Sequence, residues 1–334
     1  MTTTTATLTR TARRLTGLKP TGNLQLGNLL GAIRPMVQAQ YASDSVVLIV
    51  DLHGLTVEHD PARLRALTEE QAMVLLAAGV DPQRSTFYVQ SHVPEHLELH
   101  YLLECVTGYG EAHRMIQFKE KGAGNAHTRL SLLTYPVLMA ADILLHDTDE
   151  VPVGDDQDQH VELTRTVATR FNARYGETFV VPRVEHPEVA ARIMDLADPT
   201  AKMGKSNSVH SGTLFLLDSP DVLRRKVMRA VTDAETEVRY DPVGKPGVAN
   251  LLEILAACVA DTPTTLAGLF DTYGELKAAV ADSVVATVGA IQLRYAELAR
   301  DPDYVRDVLR EGAERARERA GRTVRRAKEA IGLY

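Results

Sequence analysis

Residues 17–33 read GLKPTGNLQLGNLLGAI and combine a proline-fixed turn with the start of an apolar helix. The turn is KPTG at 19–22, and Gly27-Asn28 open the helix. Glycine at a helix start lets a ligand approach the backbone, and free N–H groups there suit an anion such as a phosphate. An ordinary turn-to-helix junction has the same pattern, so this stretch alone leaves both interpretations open.

Length and composition place the chain among globular proteins. Its 334 residues are enough for about two domains with a sizeable core. The net charge of -7 argues against a general nucleic-acid coat protein, although a local basic patch remains compatible with it. No run of about 18 apolar residues occurs, so we expect no membrane-spanning segment. The 2 cysteines form no Cys/His cluster, which argues against structural zinc and fits a reduced cytosolic setting.

The first 13 residues are predicted to be a disordered tail. They are rich in threonine, contain arginine and lack acids, a composition also found in transit peptides. No apolar h-region is present, so we prefer the disordered tail.

Residues 14–195 alternate between strand and helix patterns. The run VVLIV at 46–50 is typical of a strand buried on both faces of a parallel sheet. The alternation predicts an α/β fold, a doubly wound parallel sheet. The predicted strands are 46–50, 86–90, 151–153 and 179–181, with helices at 61–78, 95–106, 136–146 and 157–174.

From residue 219 onward almost everything is predicted to be helical. We therefore expect residues 196–334 to form a loop followed by a smaller all-helical domain, whose last helix is able to pack back on the first domain. That helix carries many arginines after residue 314. They predict either a patch for an RNA backbone or a solvated amphipathic face. The predicted helices are 219–231, 247–260, 273–299 and 303–330.

Four further features are compatible with ligand chemistry, each with a plain structural alternative. KMGKS at 202–206 places two lysines on a glycine-containing loop, which suits a leaving pyrophosphate or simply a solvated turn. Asp142 lies in an apolar helix with Met139, and would accept a ligand N–H or pair within the protein. GDDQDQH at 154–160 suits ribose hydroxyls or helix capping. His53 follows a strand and is a ligand contact or a structural residue.

Taken together, these segments resemble the class I aminoacyl-tRNA synthetases in the form found in tryptophanyl-tRNA synthetases. QLGN at 25–28 (the first signature segment) resembles their HIGH signature, and KMGKS at 202–206 (the second signature segment) resembles KMSKS. The resemblance runs from about Thr16 to the C-terminus. The other matching segments are DLHGLT at 51–56, LTYP at 133–136, MAADIL at 139–144, VGDDQ at 153–157, QHVELTR at 159–165, RIM at 192–194 and AVTD at 230–233.

The resemblance implies a Rossmann-type catalytic domain, a helical tRNA- and anticodon-binding domain, and a tryptophan–tRNA ligase. Tryptophan would attack the α-phosphorus of ATP, giving tryptophanyl-adenylate and pyrophosphate, and then pass to the terminal ribose of tRNA(Trp). It further implies ATP as substrate, Mg²⁺ sharing the phosphate charge, a homodimer and a cytoplasmic location, with neither membrane nor DNA as partner.

The resemblance also assigns site residues, none of them a protein metal ligand. Catalysis would fall to Lys202, Lys205, Asn28 and Lys19. Tryptophan would contact Asp142, through its indole N–H, and Met139, Tyr135, Gln157, His53 and Val50. The ATP site would comprise Lys19, Pro20, Thr21, Gly27, Asn28, Gly154, Asp155, Asp156, Ile193, Lys202, Met203, Gly204, Lys205 and Ser206.

Three residues depart from the family pattern. Lys19 replaces the usual glutamine, Gln25 stands where the class signature begins with histidine, and Gly204 replaces the first serine of the second signature segment. Three other functions remain open: a tyrosine–tRNA ligase, a catalytically silent paralogue that binds tryptophan or RNA, and a nucleotidyltransferase with a similar first motif.

Overall fold

The computed structural model describes residues 11–20, 22–121, 127–154, 157–186, 193–204 and 210–333. Most of the predicted N-terminal tail lies outside this part of the chain. Five predicted site residues also lie outside it, namely Thr21, Asp155, Asp156, Lys205 and Ser206.

A parallel sheet with the strand order β3-β2-β1-β4-β5 forms the centre of the first domain. The order reverses on either side of β1, so the predicted doubly wound α/β class is confirmed. The strands are β1 (Arg13–Leu18), β2 (Asp44–Ile49), β3 (Ser85–Val89), β4 (Glu150–Pro152) and β5 (Arg183–Glu185).

Two strands differ from the prediction. The central strand β1 was not predicted, because its sequence RRLTGL begins with two arginines and lacks an apolar run. Tertiary partners make those arginines acceptable, since Arg13 pairs with Asp44 and Arg14 with Glu150. The last strand was predicted at 179–181, yet β5 lies at Arg183–Glu185. Phe179 is instead buried in an aromatic contact with Phe171, 4.7 Å between ring centroids.

Helices cover both faces of this sheet. Helix α7 contains Pro136 and begins six residues before it, whereas the sequence predicted a start at that proline. Tyr135, Met139 and Asp142 therefore follow one another at helical spacing and share a face of α7. The helices of this domain are α1 (Leu26–Asn28), a π-helical turn (Leu29–Ile33), α2 (Arg34–Ala39), α3 (Pro61–Ala77), α4 (Glu95–Glu104), α5 (Tyr109–His113), α6 (Ile116–Lys121), α7 (Leu130–Leu144) and α8 (Asp158–Tyr175).

From residue 220 onward the chain is mostly helical, in agreement with the sequence pattern. Helix α12 packs against α3, α9 and α10, while α13 packs against β3 and α4 of the sheet domain. The helices are α9 (Pro220–Met228), α10 (Pro246–Val259), α11 (Pro263–Ala267), α12 (Tyr273–Leu298) and α13 (Pro302–Ala330).

Within the described residues, α12 is the one helix long and apolar enough to cross a membrane by length and composition. Its buried side chains, among them Leu276, Val280, Val284 and Val288, belong to the same apolar core as α3 and α10. This row of aliphatic residues is what a core helix between helical layers requires.

Candidate active site

A cavity of about 350 Å³ lies at the carboxyl ends of the central strands. We call it the strand-end cavity. It sits where the strand order reverses beside β1, the position at which open α/β sheets bind ligands. The lining residues are Leu15, Thr16, Gly17, Lys19, Leu48, Val50, His53, Thr56, Val57, Leu132, Tyr135, Met139, Asp142, Ile143, Val151, Pro152, Val153 and Gln157.

Asp142 is the buried carboxylate of this cavity, with 3% of its surface exposed. Its Oδ2 accepts a hydrogen bond from His53 Nε2 at 2.8 Å. Its Oδ1 accepts two, from Gln90 Nε2 and from His96 Nδ1, each at 2.7 Å. Burial acts to raise the carboxyl pKa, but the hydrogen bonds from His53 and His96 outweigh it, so the pKa lies well below its usual range. Asp142 is therefore a charged acceptor, held by internal donors and open to the cavity.

The polar rim of the cavity is also ordered by internal contacts. The Tyr135 hydroxyl lies 2.7 Å from His160 Nε2, and burial raises the pKa of Tyr135 to about 12. Tyr135 thus stays a neutral phenol at physiological pH. The Lys19 ammonium donates to Thr56 Oγ1 at 3.2 Å, and Thr56 in turn donates to the carbonyl oxygen of His53. A cation and a carboxylate therefore face one mostly apolar slot, which suits a flat aromatic molecule with charged groups at one end.

All the residues that the resemblance assigned to tryptophan line the strand-end cavity: Asp142, Met139, Tyr135, Gln157, His53 and Val50. Sequence reasoning missed three residues that order this site. Thr56 lies inside a segment already matched to the family, and Gln90 directly follows β3, so both had a positional signal. His96 carries no such signal, because only the packing of α4 on α7 brings it to Asp142.

The N–H groups at the start of α1 differ from the expectation of a free anion site. The Leu26 N–H donates to Leu214 O at 2.8 Å, and the Asn28 and Leu29 N–H groups donate to Gln25 O. The Gly27 N–H donates to the side-chain oxygen of Gln25. A Cβ on Gly27 would lie 2.8 Å from that oxygen, so the glycine here makes room for the Gln25 side chain. The backbone donors of this turn are used within the chain.

Gln25 joins the two signature segments. Its side chain is 3% exposed, and its Nε2 donates to the carbonyl oxygen of Met203 at 2.8 Å. Residues 24–26 also pair with 214–216, through Leu26 N–H to Leu214 O and Leu216 N–H to Leu24 O. Gln25, which stands where the class signature has histidine, thus supplies an amide that bonds to the second signature segment at Met203.

The base of the second signature segment is held by the helical part of the chain. Met194 and Lys202 form an antiparallel bridge, and the Met203 N–H donates to Ile193 O at 3.0 Å. Asn250 of α10 bonds both the N–H and the carbonyl oxygen of Met194, each at 2.9 Å. Lys202 is exposed, while Ile193 and Met203 are buried. These contacts bring together segments that are far apart in sequence.

Among the described residues of the predicted ATP site, Lys19 alone lines the strand-end cavity. Pro20 is buried directly after the lining residue Lys19. The Asn28 side chain accepts the Gln25 N–H at 3.1 Å and so caps its own helix. Gly154 is exposed, and its carbonyl oxygen accepts the N–H of Gln157.

Several basic residues of α13 are held by contacts within the chain. Arg315 donates to the carbonyl oxygen of Pro82, Arg317 to that of His92, and Arg319 to the Asp44 carboxylate. Arg326 pairs with Asp147 and Lys328 with Glu98. This side of the helix therefore fastens α13 to the sheet domain.

Comparison with known proteins agrees with the fold and the motifs. A family model described as tRNA synthetases class I (W and Y) matches residues 7–288. The tryptophan–tRNA ligase 1 of Streptomyces avermitilis is 56% identical over 326 residues, which make up 96% of this chain and 98% of that protein.

Solved structures show the same likeness. Tryptophanyl-tRNA synthetase from Mycoplasma pneumoniae matches with a TM-score of 0.88 and 35% identity, covering 97% of this chain and 98% of that one. The Campylobacter jejuni enzyme, complexed with ADP and tryptophan, matches with a TM-score of 0.82 and 34% identity, covering 96% and 100%. The chain thus belongs to the class I tRNA synthetases of the tryptophan and tyrosine family and, within it, to the tryptophanyl-tRNA synthetases.

Proposed function

We infer that this chain works as a tryptophan–tRNA ligase in which the strand-end cavity binds tryptophan. Full-length likeness to such ligases gives the activity. The observation that carries the site assignment is the buried, ionised Asp142 in a mostly apolar slot. A carboxylate in that position accepts an N–H, and the indole ring supplies one.

We assign roles to six further lining residues by their match to the family. Met139 and Val50 would flank the indole ring with apolar atoms. His53, Tyr135 and Gln157 would hold the amino and carboxylate end. The Lys19 ammonium would lie close to the tryptophan carboxylate or the α-phosphate, a charge that the usual glutamine lacks.

The ATP site is proposed between the two signature segments. Its support is the direct link from Gln25 to Met203, which holds the segments close together. Pro20, Thr21, Gly27 and Asn28 would border it on one side. On the other, Lys202, Met203, Gly204, Lys205 and Ser206 would approach the phosphates, and Gly154, Asp155, Asp156 and Ile193 would lie near the adenosine.

The chemistry requires alignment and charge stabilisation rather than a protein nucleophile. The tryptophan carboxylate forms a bond to the α-phosphorus while the bond to pyrophosphate breaks, and the ribose of tRNA(Trp) then takes the aminoacyl group from AMP. Lys202 and Lys205 would stabilise the leaving pyrophosphate. Mg²⁺ would supply further neutralisation of the phosphates. It would bind through the phosphate oxygens of ATP, the kind of ligand that Mg²⁺ takes in nucleotide sites.

A tail at 1–13, a catalytic domain at 14–195 and a tRNA-binding part at 196–334 remain our proposed division of the chain, except that Arg13, the first residue of β1, belongs with the catalytic domain. We also propose a cytoplasmic location, supported by free Cys105 and Cys258 and by a role in translation.

A homodimer is proposed on the basis of exposed apolar side chains on α4, α5 and α6. Leu97 and Tyr101 lie one turn apart on α4, and with Tyr109 and Ile116 their exposed fractions run from 50% to 71%. Apolar surface of this kind marks interfaces. Sedimentation velocity should therefore give twice the chain mass, and a species of single-chain mass at micromolar concentration would contradict the proposal.

Amino-acid-dependent pyrophosphate exchange into ATP tests the function. We expect exchange with tryptophan and none with tyrosine or phenylalanine. Exchange with tyrosine alone would transfer the chain to the tyrosine enzymes, and tryptophan binding without exchange would make it a silent paralogue. A Lys205→Ala variant should lose exchange yet keep its tryptophan Kd, because this lysine is assigned to the phosphates only.

A further inference from the structure

Three fully buried side chains continue the polar contacts of Asp142 into the core, although none of them lines the strand-end cavity. His96 Nδ1 lies 2.7 Å from Asp142 Oδ1, and His96 Nε2 lies 2.9 Å from the Tyr88 hydroxyl. That hydroxyl lies 2.7 Å from His146 Nε2. We call Asp142, His96, Tyr88 and His146 the buried polar chain. Polar groups in an apolar core are costly unless paired, so the pairing itself calls for an explanation.

The chemistry of the four groups gives the hydrogen bonds of the buried polar chain one consistent donor-to-acceptor direction, from His146 towards Asp142. Ionised Asp142 only accepts, so His96 Nδ1 carries the donated proton. The Nε2 of a neutral His96 then accepts from the Tyr88 hydroxyl, which accepts from His146 Nε2. Burial keeps the pKa of Tyr88 well above its ordinary value and that of His146 well below, so a neutral phenol and a neutral imidazole fit this direction.

The opposite direction fits less well. It requires a charged His96, and it places a proton on His146 Nδ1, a buried atom that makes no hydrogen bond. A buried N–H without a partner costs more free energy than a buried ring nitrogen without one. We therefore assign the tautomer of His146 in which Nδ1 carries no proton.

The same contacts determine how the carboxylate is presented to the cavity. Each carboxylate oxygen has about two acceptor positions. Gln90 and His96 occupy both positions on Oδ1, whereas His53 occupies one on Oδ2. The acceptor position that remains is on Oδ2, the oxygen shared with the cavity-lining His53.

We propose that His96, held by the Tyr88 hydroxyl, is a positioning residue that directs the free Oδ2 acceptor of Asp142 at the indole N–H and so contributes to the selection of tryptophan. This proposal rests on the proposed function, in which Asp142 accepts the indole N–H. Without the His96 donor, Gln90 alone holds Oδ1, so the carboxylate is held less firmly and the direction of the Oδ2 acceptor is less well defined.

The test compares the Kd values of L-tryptophan and L-benzothienylalanine, its isostere with sulfur in place of the N–H, by calorimetry. The variants are His96→Leu, which removes the donor, and Tyr88→Phe, which keeps the ring packing. His96→Asn retains a donor near the position of Nδ1. We expect the preference for tryptophan to fall about tenfold in His96→Leu and severalfold in Tyr88→Phe, with the isostere's Kd unchanged and with recovery in His96→Asn.

A structural role alone would weaken both ligands equally, and that result overturns the proposal, as does an unchanged preference. Should His96→Leu fail to fold, Tyr88→Phe and His96→Asn still decide between these outcomes. Asp142→Leu, which removes both carboxylate oxygens, separates this inference from the site assignment. If Asp142→Leu leaves the preference intact, the indole assignment itself is wrong. If it removes the preference while Tyr88→Phe does not, only the role of the buried polar chain is overturned.

Discussion

Single residues explain how two distant segments of this synthetase are held together. Gln25 is buried and makes its side-chain contacts to both signature segments, accepting from Gly27 and donating to Met203. The side-chain amide of Gln25 suits this position because its oxygen accepts from Gly27 while its nitrogen donates to Met203. The residue that departs from the class signature therefore keeps a linking role in this chain.

Replacing Gln25 by Met keeps the length of the side chain and removes both hydrogen-bonding atoms. We expect kcat/KM for pyrophosphate exchange to fall about tenfold, because the Met203 carbonyl oxygen loses its donor and the second signature segment loses one of the contacts that hold it. The tryptophan Kd should change little, since Gln25 does not line the strand-end cavity. Equal exchange rates in the variant and the parent would show that the contact has no part in catalysis.

At the scale of elements, two helices decide the geometry of the site. Helix α7 carries Tyr135, Met139 and Asp142 on one face, and α13 returns from the helical part to cover β3. The return depends on Gly312, where an added Cβ would lie 1.7 Å from the carbonyl oxygen of Phe87. The backbones of α13 and β3 therefore lie closer together at Gly312 than they could if this residue had a side chain.

The substitution Gly312→Ala should lower the free energy of unfolding by about 1–3 kcal/mol, because α13 must move away from β3. Gly321→Ala on the same helix is the matched control, since its Cβ would meet no atom within 4 Å. The control should leave stability unchanged or raise it by up to about 1 kcal/mol through helix propensity. Urea denaturation measures both, and equal effects of the two variants would contradict the close-packing explanation.

At the scale of the whole molecule, the strand order fixes where the site lies. Strands β2 and β4 flank β1 and run parallel to it, so their carboxyl ends meet in one crevice. Helices α4 and α7 then bring His96 and Asp142 together beside that crevice, and the core closes over Tyr88 and His146. The binding site and the hydrophobic core of the sheet domain are therefore parts of the same packing arrangement.

Stability should depend on pH through His146. Burial lowers its pKa well below the ordinary value, so below about pH 6.5 the unfolded chain binds a proton that the folded chain does not. This contribution to stability is fully present above about pH 6.5 and is lost as the pH falls, at up to ~1.4 kcal/mol per pH unit. Urea denaturation at a series of pH values from above to below about 6.5 measures how the free energy of unfolding changes with pH.

His146→Gln is the informative variant, since its amide can still donate to the Tyr88 hydroxyl but does not titrate. The slope of unfolding free energy against pH should be shallower in this variant than in the parent chain. An identical slope would mean that other groups cause the acid sensitivity.

Much of the fold was predictable because it depends on local patterns. The apolar run at 46–50 and the helical periodicity after residue 219 identify their elements without tertiary information. Strand β1 was not predictable in this way, because its two arginines are compatible with a strand only when Asp44 and Glu150 lie beside them. The proline in α7 likewise suggested a helix start, and only packing shows that the helix begins at Leu130.

The sequence by itself determined the family, the reaction and several of the side chains that line the strand-end cavity, since motif residues in a given order carry that information. Tertiary structure alone decided that the backbone donors of the first signature segment are already used, that Gln25 reaches Met203, and that His96 and Tyr88 stand behind Asp142. The physical reason is that hydrogen bonds between residues far apart in sequence depend on how helices and strands pack, and no local pattern specifies that packing.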